Sequence, residues 1–317
     1  MLTLQDWLHL VICPDCGSRR IVNRAEYLQC AECGMQFPVV HGRPVLLAHS
    51  NRVFRAECYT AATVKARVPP AGGLKRFIPD ISVNVAREKS LAAFKRQFDS
   101  KMKSHVLVIG GGTQRNELDR AFTDAPHIHL IYCDIDVTAD VECFCDAHAL
   151  PFADQSIQGV ITTAVLEHVM YPEQAAAEIS RVMATGGVLY SELPFMQQVH
   201  EGAYDFTRYT LSGHRRLFNR FMSIESGMVA GPATSLVWAI EHFALAFFRS
   251  GRPRLAAKAL VRLGFFWIKY LDYWLCRQPQ ATDGACCTYF LGRKSSTAIP
   301  DDEIISGYVG GKVLRHT

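Results

Sequence analysis

The chain has 317 residues, a formal net charge of +4 and 49% apolar residues. This length suits one large domain and one small one, and the apolar fraction excludes wholesale disorder. The sequence has no dense runs of Lys and Arg, so its charge does not indicate a dedicated nucleic-acid binder.

The chain contains eleven cysteines. Its first residues, MLTLQDWLHLVIC, have no basic stretch before a short apolar run, so we expect no export signal, reduced thiols and a cytoplasmic location. Clustered cysteines then favour a metal site over disulfides. No uncharged apolar run reaches about 18 residues, which predicts that no helix spans a membrane.

The sequence divides into regions of different composition. We predict a zinc ribbon over 1–50, a linker with an N-terminal helix over 51–100, and an α/β domain over 101–317 with a helical insert at about 231–284. The pairs Pro69–Pro70 and Gly72–Gly73 mark the linker. The run VAREKSLAAFKRQF after them has the apolar spacing of a helix.

Four cysteines follow the spacing C-x2-C-x13-C-x2-C: Cys13, Cys16, Cys30 and Cys33. Each pair lies in a knuckle whose glycine lets the backbone turn around an ion. Four thiolates form the closed tetrahedron that zinc takes in structural sites. Such a small module buries little surface, so we expect the metal to supply much of its folding energy. The alternatives for this pattern are four free thiols or a redox pair.

The segment LVICPDCGSRRIVNRAEYLQCAECGMQFPVVHGRPVLL also resembles a known module. It is similar to the zinc ribbon of a small activator protein of RNA and protein methyltransferases, which some methyltransferases carry at their own N-termini. The closing FPVVHGRPVLL is part of the likeness.

Residues 104–230 alternate short apolar runs with helical stretches. The predicted strands are HVLVIG, IHLIYCD, VECFCD, IQGVITT, GVLYSELP and FMSIESGMV, and ACCTYFLGRK adds a last one after the insert. The predicted helices are QRNELDRAF and PEQAAAEISRVM; Pro172 suits the first turn of the second, and Gly186–Gly187 its end. The alternation predicts an α/β fold with a parallel sheet covered on both faces.

Three glycines, Gly110 to Gly112, follow the first strand of this domain and allow a tight turn before a helix. A helix start offers free backbone N–H groups to a ligand. The second strand ends at Asp134, 24 residues after Gly110, where an acid can hold a ribose diol. The third strand ends at Asp146.

The ordered series VLVIGGGT, IYCDID, DAHALPF and VLEHVMYPEQAAAEISRVMATGG resembles the class I S-adenosylmethionine-dependent methyltransferases. The resemblance implies a doubly wound, seven-stranded Rossmann-like sheet. It places Gly110 and Gly112 along the methionine part of S-adenosylmethionine, Asp134 on the ribose hydroxyls and Asp146 on the adenine amino group.

The same resemblance implies further contacts. Ala147 would lie beside the adenine ring, and Thr163, Val165 and Leu166 would face the cofactor or the substrate. The chain departs from the family pattern at Val108, where an acid is usual, and at Gln114, where a glycine is usual. These departures motivate a non-catalytic scaffold as one alternative.

His168 follows the fourth strand in the motif LEHV, together with Glu167. His168 either lies near the transferred methyl group or bonds locally to order its loop, and the second interpretation is favoured. The same two interpretations, a role near the methyl group or a local structural role, apply to Glu167.

The segment PFMQQVHEGAYDFTRYT follows the fifth strand, at the sheet edge where such folds bind ligands. It resembles a stretch found in methyltransferases of the same group. His200 is the candidate base or substrate contact, and Asp205 and Arg208 are candidates to orient it. The alternative is a structural turn built on an Asp205–Arg208 pair.

The helical insert is apolar and carries no acid between Glu241 and Asp272. Arg254, Lys258, Arg262 and Lys269 form a basic stripe at helical spacing. A narrow basic stripe on an apolar helix over 254–274 can contact an anionic membrane at the inner face. The favoured alternative is a buried helical hairpin or a homodimer contact, with the stripe facing water.

The leading prediction is methyl transfer from S-adenosylmethionine to a small-molecule, glycan or lipid-linked acceptor. The second is an RNA base methyltransferase whose zinc ribbon grips RNA, which the modest charge of the ribbon disfavours. The third is a non-catalytic scaffold derived from a methyltransferase.

Overall fold

A computed structural model describes residues 3–64, 79–113 and 115–312. Its strands form two sheets, one of four strands and one of seven. The linker pairs Pro69–Pro70 and Gly72–Gly73, and the unusual Gln114, lie outside the described residues.

The strands are β1 (Ile21–Asn23), β2 (Tyr27–Cys30), β3 (Gln36–Val40), β4 (Arg43–Pro44), β5 (Ser104–Ile109), β6 (Ile128–Asp134), β7 (Cys143–Phe144), β8 (Ile157–Thr163), β9 (Met183–Pro194), β10 (Phe221–Ala230) and β11 (Cys287–Lys294). The α-helices are α1 (Leu4–Trp7), α2 (Arg87–Lys95), α3 (Arg115–Ala121), α4 (Pro172–Val182), α5 (Leu211–Leu217), α6 (Pro232–Leu245), α7 (Gly251–Phe265), α8 (Asp272–Leu275) and α9 (Asp301–Ser306).

The large sheet has the strand order β10-β11-β9-β8-β5-β6-β7. Strands β5 to β9 pair in parallel, and β11 runs antiparallel to both of its neighbours. The chain leaves β5 towards β6 on one side and later returns to β8 on the other, and a ligand crevice is expected where the order reverses. This arrangement confirms the predicted doubly wound, seven-stranded sheet.

The central strands are buried along most of their length because both faces of the sheet are covered. All but one residue of β5, and likewise of β8, are buried. Helix α4 buries Ala175, Ile179 and Val182, which recur at helical spacing. It ends at Val182 rather than at the predicted Gly186–Gly187, because β9 already begins at Met183.

The small antiparallel sheet, β1 to β4, packs against the edge of the large one. Val45 forms a parallel bridge with Phe144 of β7, and Val11 an antiparallel bridge with Phe152. Trp7 and Phe37 from the N-terminal module lie in one hydrophobic cluster with residues of the large sheet. The two parts therefore share a core.

The helical insert comprises α6 to α8. Asp272 of α8 is buried, and its carboxylate accepts hydrogen bonds from the N–H groups of Gly231, Ala233 and Thr234 at 2.9–3.0 Å. An acid at this position complements the positive end of α6. Among the described residues, none of the helices is both long and apolar enough to cross a bilayer.

The basic stripe of the insert lies against the protein rather than facing water. Arg262 donates to both carboxylate oxygens of the buried Glu241, and Lys258 lies 3.8 Å from the same group. Lys269 is buried and donates to the carbonyl of Asp80. The prediction of a water-facing stripe was therefore wrong, and Leu255, Leu260 and Leu263 of α7 are exposed instead.

Candidate functional site

The four cysteine sulfurs of the ribbon converge on one point. Cys13 Sγ lies 3.6 Å from Cys33 Sγ, and Cys16 Sγ lies 3.6 Å from Cys30 Sγ. A tetrahedron with Zn–S distances near 2.3 Å has sulfurs about 3.8 Å apart, so the spacing suits zinc.

Local backbone geometry shapes the two knuckles. Gly17 and Gly34 both have positive φ, +74° and +77°, which favours glycine. Their N–H groups donate to the carbonyls of Cys13 and Cys30. Although burial acts to raise the pKa of the Cys30 thiol, the N–H groups of Cys33 and Glu32 lower it to about 7. The backbone around Cys30 thus favours a thiolate, the form that binds metal, whereas burial raises the pKa of the Cys13 thiol to about 12.

The glycine turn lies at the C-terminal end of β5. Gly110 has φ +69°, and a Cβ there would lie 2.2 Å from a methyl group of Val165. Gly112 approaches the end of β6, where its N–H is 3.4 Å from Asp134 Oδ2. The turn is therefore packed closely between the loops that follow β6 and β8. Val108, at the position where an acid is usual, is a buried core residue.

The two predicted aspartates end neighbouring strands. Asp134 is the last residue of β6, and its Oδ1 accepts from the N–H groups of Ile135 and Asp136. Burial raises the pKa of Asp134. Asp146 follows β7, and its Oδ1 accepts from the N–H of His148. The fold brings both carboxylates to the same edge of the sheet as the glycine turn.

Residues 51–59, directly after the ribbon, run over this edge, which the sequence did not indicate. Asn51 donates to Asp146 Oδ2 at 2.8 Å, and the Tyr59 hydroxyl donates to the carbonyl of Ile135 at 2.5 Å. Phe54 stacks on Tyr204. The Asn51 amide thus bonds the carboxylate that the family resemblance assigns to the adenine amino group. The position of Asn51, directly after the ribbon, was the one feature of the sequence that could have indicated this contact.

The remaining predicted cofactor residues lie on the same rim. Ala147 and Val165 are half-buried and pack on the main core, and Thr163 is buried at the end of β8. Ala164 has a positive φ of 55°, an uncommon conformation for a non-glycine residue. This backbone strain lies at the strand end that borders the crevice.

A cavity of about 280 Å³ opens beside Ala164. Its wall contains an ion pair that the sequence did not indicate: the half-buried Arg87 donates to both oxygens of the buried Glu192 at 3.1 and 2.8 Å. Glu192 also accepts from the Tyr190 hydroxyl at 2.6 Å. Thr234 of the insert lines the same cavity. Two larger clefts, of about 410 and 590 Å³, lie away from this edge, on the side of α4.

His200, Asp205 and Arg208 come together as one group. Asp205 accepts from the His200 backbone N–H at 2.9 Å and pairs with both terminal nitrogens of Arg208. Burial acts to raise the pKa of Asp205, but the hydrogen bonds from Arg208 and His200 hold it well below its usual range. Arg208 also donates to the carbonyls of Gln197 and Gln198. Asp205 and Arg208 thus order the loop, and a catalytic role for the group stays a prediction.

The His200 ring lies between two aromatic neighbours. Its centroid is 4.9 Å from that of His168 and 6.2 Å from that of Trp238 in α6. The insert therefore reaches the rim of the site.

Glu167 lies beneath the two histidines. It is fully buried, and burial raises its pKa to about 8. His168 is half-buried, and burial lowers its pKa. Its Nδ1 lies 2.8 Å from the carbonyl of Tyr204, which agrees with the favoured prediction of a local bond that orders the loop.

Comparison with known proteins gives a family match for part of the chain. Residues 112–191 match the family model described as a methyltransferase domain. This segment contains Gly112, Asp134, Asp146 and Thr163. No curated protein matches the chain in sequence.

Several solved structures are similar to the chain. The cyclase SpnF is 17% identical, with 69% of this chain and 90% of that chain covered and a TM-score of 0.43. A phosphoethanolamine N-methyltransferase 2 from Haemonchus contortus, solved with S-adenosylmethionine, is 17% identical, with 70% and 56% covered and a TM-score of 0.44. An O-methyltransferase segment of StiE is 15% identical, with 69% and 77% covered and a TM-score of 0.39.

Proposed function

We propose that the chain transfers a methyl group from S-adenosylmethionine to a small-molecule, glycan or lipid-linked acceptor. The observation that carries the proposal is the gathering of the glycine turn, Asp134 and Asp146 at one edge of a sheet whose segment 112–191 matches a methyltransferase domain. Two carboxylates at adjacent strand ends suit the ribose diol and the adenine amino group of the cofactor.

Methyl transfer needs alignment more than covalent help from the protein. An oxygen or nitrogen of the acceptor bonds to the methyl carbon while the carbon–sulfur bond breaks, and S-adenosylhomocysteine leaves. A hydroxyl acceptor loses its proton in this step. The cavity beside Ala164 offers the acceptor a place next to the crevice, with the charged Arg87–Glu192 pair in its wall.

The acceptor class follows from what adjoins this cavity. Thr234 in the first turn of α6 lines the cavity, and Trp238 one turn on donates to Ser82, which lines the same cavity. A polar head could enter the cavity while an apolar part of the acceptor packs on the Trp238 ring. We therefore favour a lipid-linked or otherwise amphiphilic acceptor among the three classes.

The outer face of the insert supports contact with an anionic membrane surface. Large apolar side chains are exposed along α6 to α8: Phe243, Phe247, Leu255, Leu260, Leu263, Trp267, Tyr273 and Trp274. Arg249 and Arg252 are exposed beside them. The acids that flank the segment, Glu241 and Asp272, are both buried, so this face is apolar and cationic. That combination suits anionic lipid.

We also propose that Cys13, Cys16, Cys30 and Cys33 hold a structural zinc ion. The support is the convergence of four sulfurs at a spacing that suits tetrahedral zinc. All four positions are taken by protein ligands, so the ion would fold the ribbon and take no part in the reaction.

The RNA alternative has less support. Of the ribbon arginines, Arg43 is buried and donates to the carbonyl of Ala139, and Arg20 is paired with Glu32. Arg19, Arg20 and Arg24 are exposed, but Asp15, Glu26 and Glu32 lie in the same ribbon, so its charge gives a phosphate backbone little attraction. Binding of RNA that falls steeply with salt would restore this alternative.

Calorimetric titration with S-adenosylmethionine and S-adenosylhomocysteine tests the enzymatic proposal. We expect binding by the zinc-loaded protein and a loss of about tenfold or more in Asp134→Ala, because the ribose would lose a charged hydrogen-bond acceptor. Asp99→Ala, an exposed acid in the loop before β5, is the matched control. No binding of either ligand by the intact protein would leave the scaffold alternative.

Sedimentation with vesicles tests the membrane contact. We expect binding to phosphatidylcholine vesicles that contain about one third phosphatidylglycerol, and a several-fold loss in the double variant Phe243→Ser, Trp267→Ser. Ile305→Ser removes an equally exposed apolar side chain from α9 and should not change binding. If the same double variant instead dissociates a dimer in solution, the surface is a contact between copies of the chain.

A further inference from the structure

Three side chains with metal-binding chemistry gather beside the cavity, outside the cysteine cluster. Glu167 and His168 lie in the 3-10 turn that follows β8, and His200 lies in the loop that follows β9. One ligand atom from each side chain lies within 4.8 Å of the other two. The packing of both loops therefore brings a carboxylate and two imidazoles to one point.

Glu167 is the unusual member of this group. Its side chain is fully buried, and neither carboxylate oxygen has a hydrogen-bond partner among the residues that the structure describes. The nearest ring nitrogen is His168 Nε2, at 3.7 Å from Oε1. The turn itself is fixed, since the Glu167 carbonyl accepts from the N–H of Phe206. Burying a carboxylate without partners is costly, and a cation beside it would offset that cost.

Both histidines are oriented by their other ring nitrogen. His168 Nδ1 lies 2.8 Å from the carbonyl of Tyr204, and His200 Nδ1 lies 3.2 Å from the carbonyl of Gln198. A carbonyl only accepts, so we assign the proton to Nδ1 in each ring. The assignment leaves the Nε2 lone pair of each ring for a metal. Metal-binding histidines commonly have this outer hydrogen bond to a carbonyl.

We propose that Glu167, His168 and His200 form a second metal site, which takes a divalent transition-metal ion such as Mn²⁺ or Zn²⁺. Two imidazoles and one carboxylate suit such ions and leave coordination positions open for water or a ligand oxygen. At coordination angles of about 90–110°, ligand atoms about 2.1 Å from an ion are about 3.0–3.4 Å apart, so these side chains, with the partly exposed His200 ring among them, must close by about 1–2 Å on binding.

The position of the site links it to the cavity. Ala164, three residues before Glu167, lines the cavity, and Val165 packs against the glycine turn. An ion here would face a ligand bound at that edge. As a metal ligand, His200 could not also act as a general base, because its Nε2 lone pair would be bound. The metal site does not depend on methyl transfer, and its test uses no cofactor.

Manganese titration followed by electron paramagnetic resonance tests the site. The protein is used with zinc on its cysteines, because Mn²⁺ competes poorly for thiolates. We expect one bound Mn²⁺ per chain in the wild type and a loss of at least about tenfold in affinity in Glu167→Gln, His168→Ala and His200→Ala. His9→Ala, which removes an exposed imidazole next to His105, is the control and should bind as the wild type does.

Thermal unfolding gives a second readout. Without added metal, Glu167→Gln should be at least as stable as the wild type, because a neutral amide avoids the cost of burying a carboxylate or of keeping it protonated. Added Mn²⁺ should raise the melting temperature of the wild type and not that of the variant. If Glu167→Gln does not fold, metal binding by His168→Ala and His200→Ala provides the test. The proposal is overturned if neither Mn²⁺, Zn²⁺ nor Co²⁺ binds beyond the cysteine site, or if binding survives in the histidine variants.

Discussion

His214 in α5 is a fully buried histidine whose two ring nitrogens both have partners. Nε2 lies 2.9 Å from the Ser191 hydroxyl, and Nδ1 lies 3.1 Å from the Thr288 hydroxyl. Burial, with a smaller contribution from Arg215, lowers the pKa of His214 from 6.5 to about 3. The folded protein therefore keeps this ring neutral under conditions that protonate it in the unfolded chain.

This difference predicts a loss of stability in mild acid. Between the two pKa values the unfolded state binds the extra proton, so the contribution of His214 is complete above pH 6.5 and is lost as the pH falls towards 3. The variant His214→Gln keeps a donor and an acceptor but does not titrate in this range. Between about pH 7.5 and pH 5.5, the wild type should therefore lose about 1 kcal/mol more of its free energy of unfolding than this variant does. Denaturant unfolding of both proteins at both pH values measures this difference. Equal losses in the two proteins would show that His214 does not titrate in this way.

Single residues were predictable where a local pattern fixed them. The glycine turn, Asp134 and Asp146 stand at set distances from strands that the sequence made evident, and the fold places all three at one edge. Contacts between residues that are far apart in the sequence were not predictable. Asn51 is 95 residues from Asp146, and Arg87 is 105 residues from Glu192. Such pairs depend on how distant segments pack, and no local spacing encodes them.

At the scale of elements, Asp272 holds the helical insert in place. Its carboxylate accepts three N–H groups at the start of α6, from a position about 40 residues along the chain. We expect Asp272→Ala to speed hydrogen exchange across residues 232–275, because it leaves buried donors unpaired at a cost of about 1–3 kcal/mol. Asp272→Asn, which keeps an acceptor oxygen, should have a smaller effect. Unchanged exchange in the alanine variant would mean that the insert is held by its other contacts.

The sequence pattern predicted the position of some helices and strands, but not the direction in which all of their side chains point. Strands β5 and β8 were evident from short apolar runs, which are typical of strands buried on both faces. Helix α7 was evident from its spacing, but the direction of its basic stripe was not. A stripe of cations on a helix faces water by default, yet Glu241 of α6 draws Arg262 and Lys258 inwards. A buried acid on a neighbouring helix thus reversed the expected orientation.

The whole molecule is joined more tightly than its sequence suggested. The small size of the N-terminal segment predicted a module for which a metal supplies much of the folding energy. The structure adds a second contribution, because one hydrophobic cluster runs from Trp7 and Phe37 of that module to Phe152 and Leu189 of the large domain. Backbone bonding continues across the boundary, since the Leu46 N–H donates to the carbonyl of Phe144 in β7.

This shared core predicts how the protein responds to loss of zinc. Because the ribbon covers the β7 edge of the large sheet, Cys30→Ser should destabilise the entire chain and not the ribbon alone. We expect one unfolding transition, with a melting temperature lower than that of the wild type by at least about 5 °C. Cys58→Ser, which changes an exposed cysteine outside the cluster, is the matched control and should unfold as the wild type does. Calorimetry that instead resolved a separate ribbon transition, with the main transition unchanged, would show that the interface contributes little to stability.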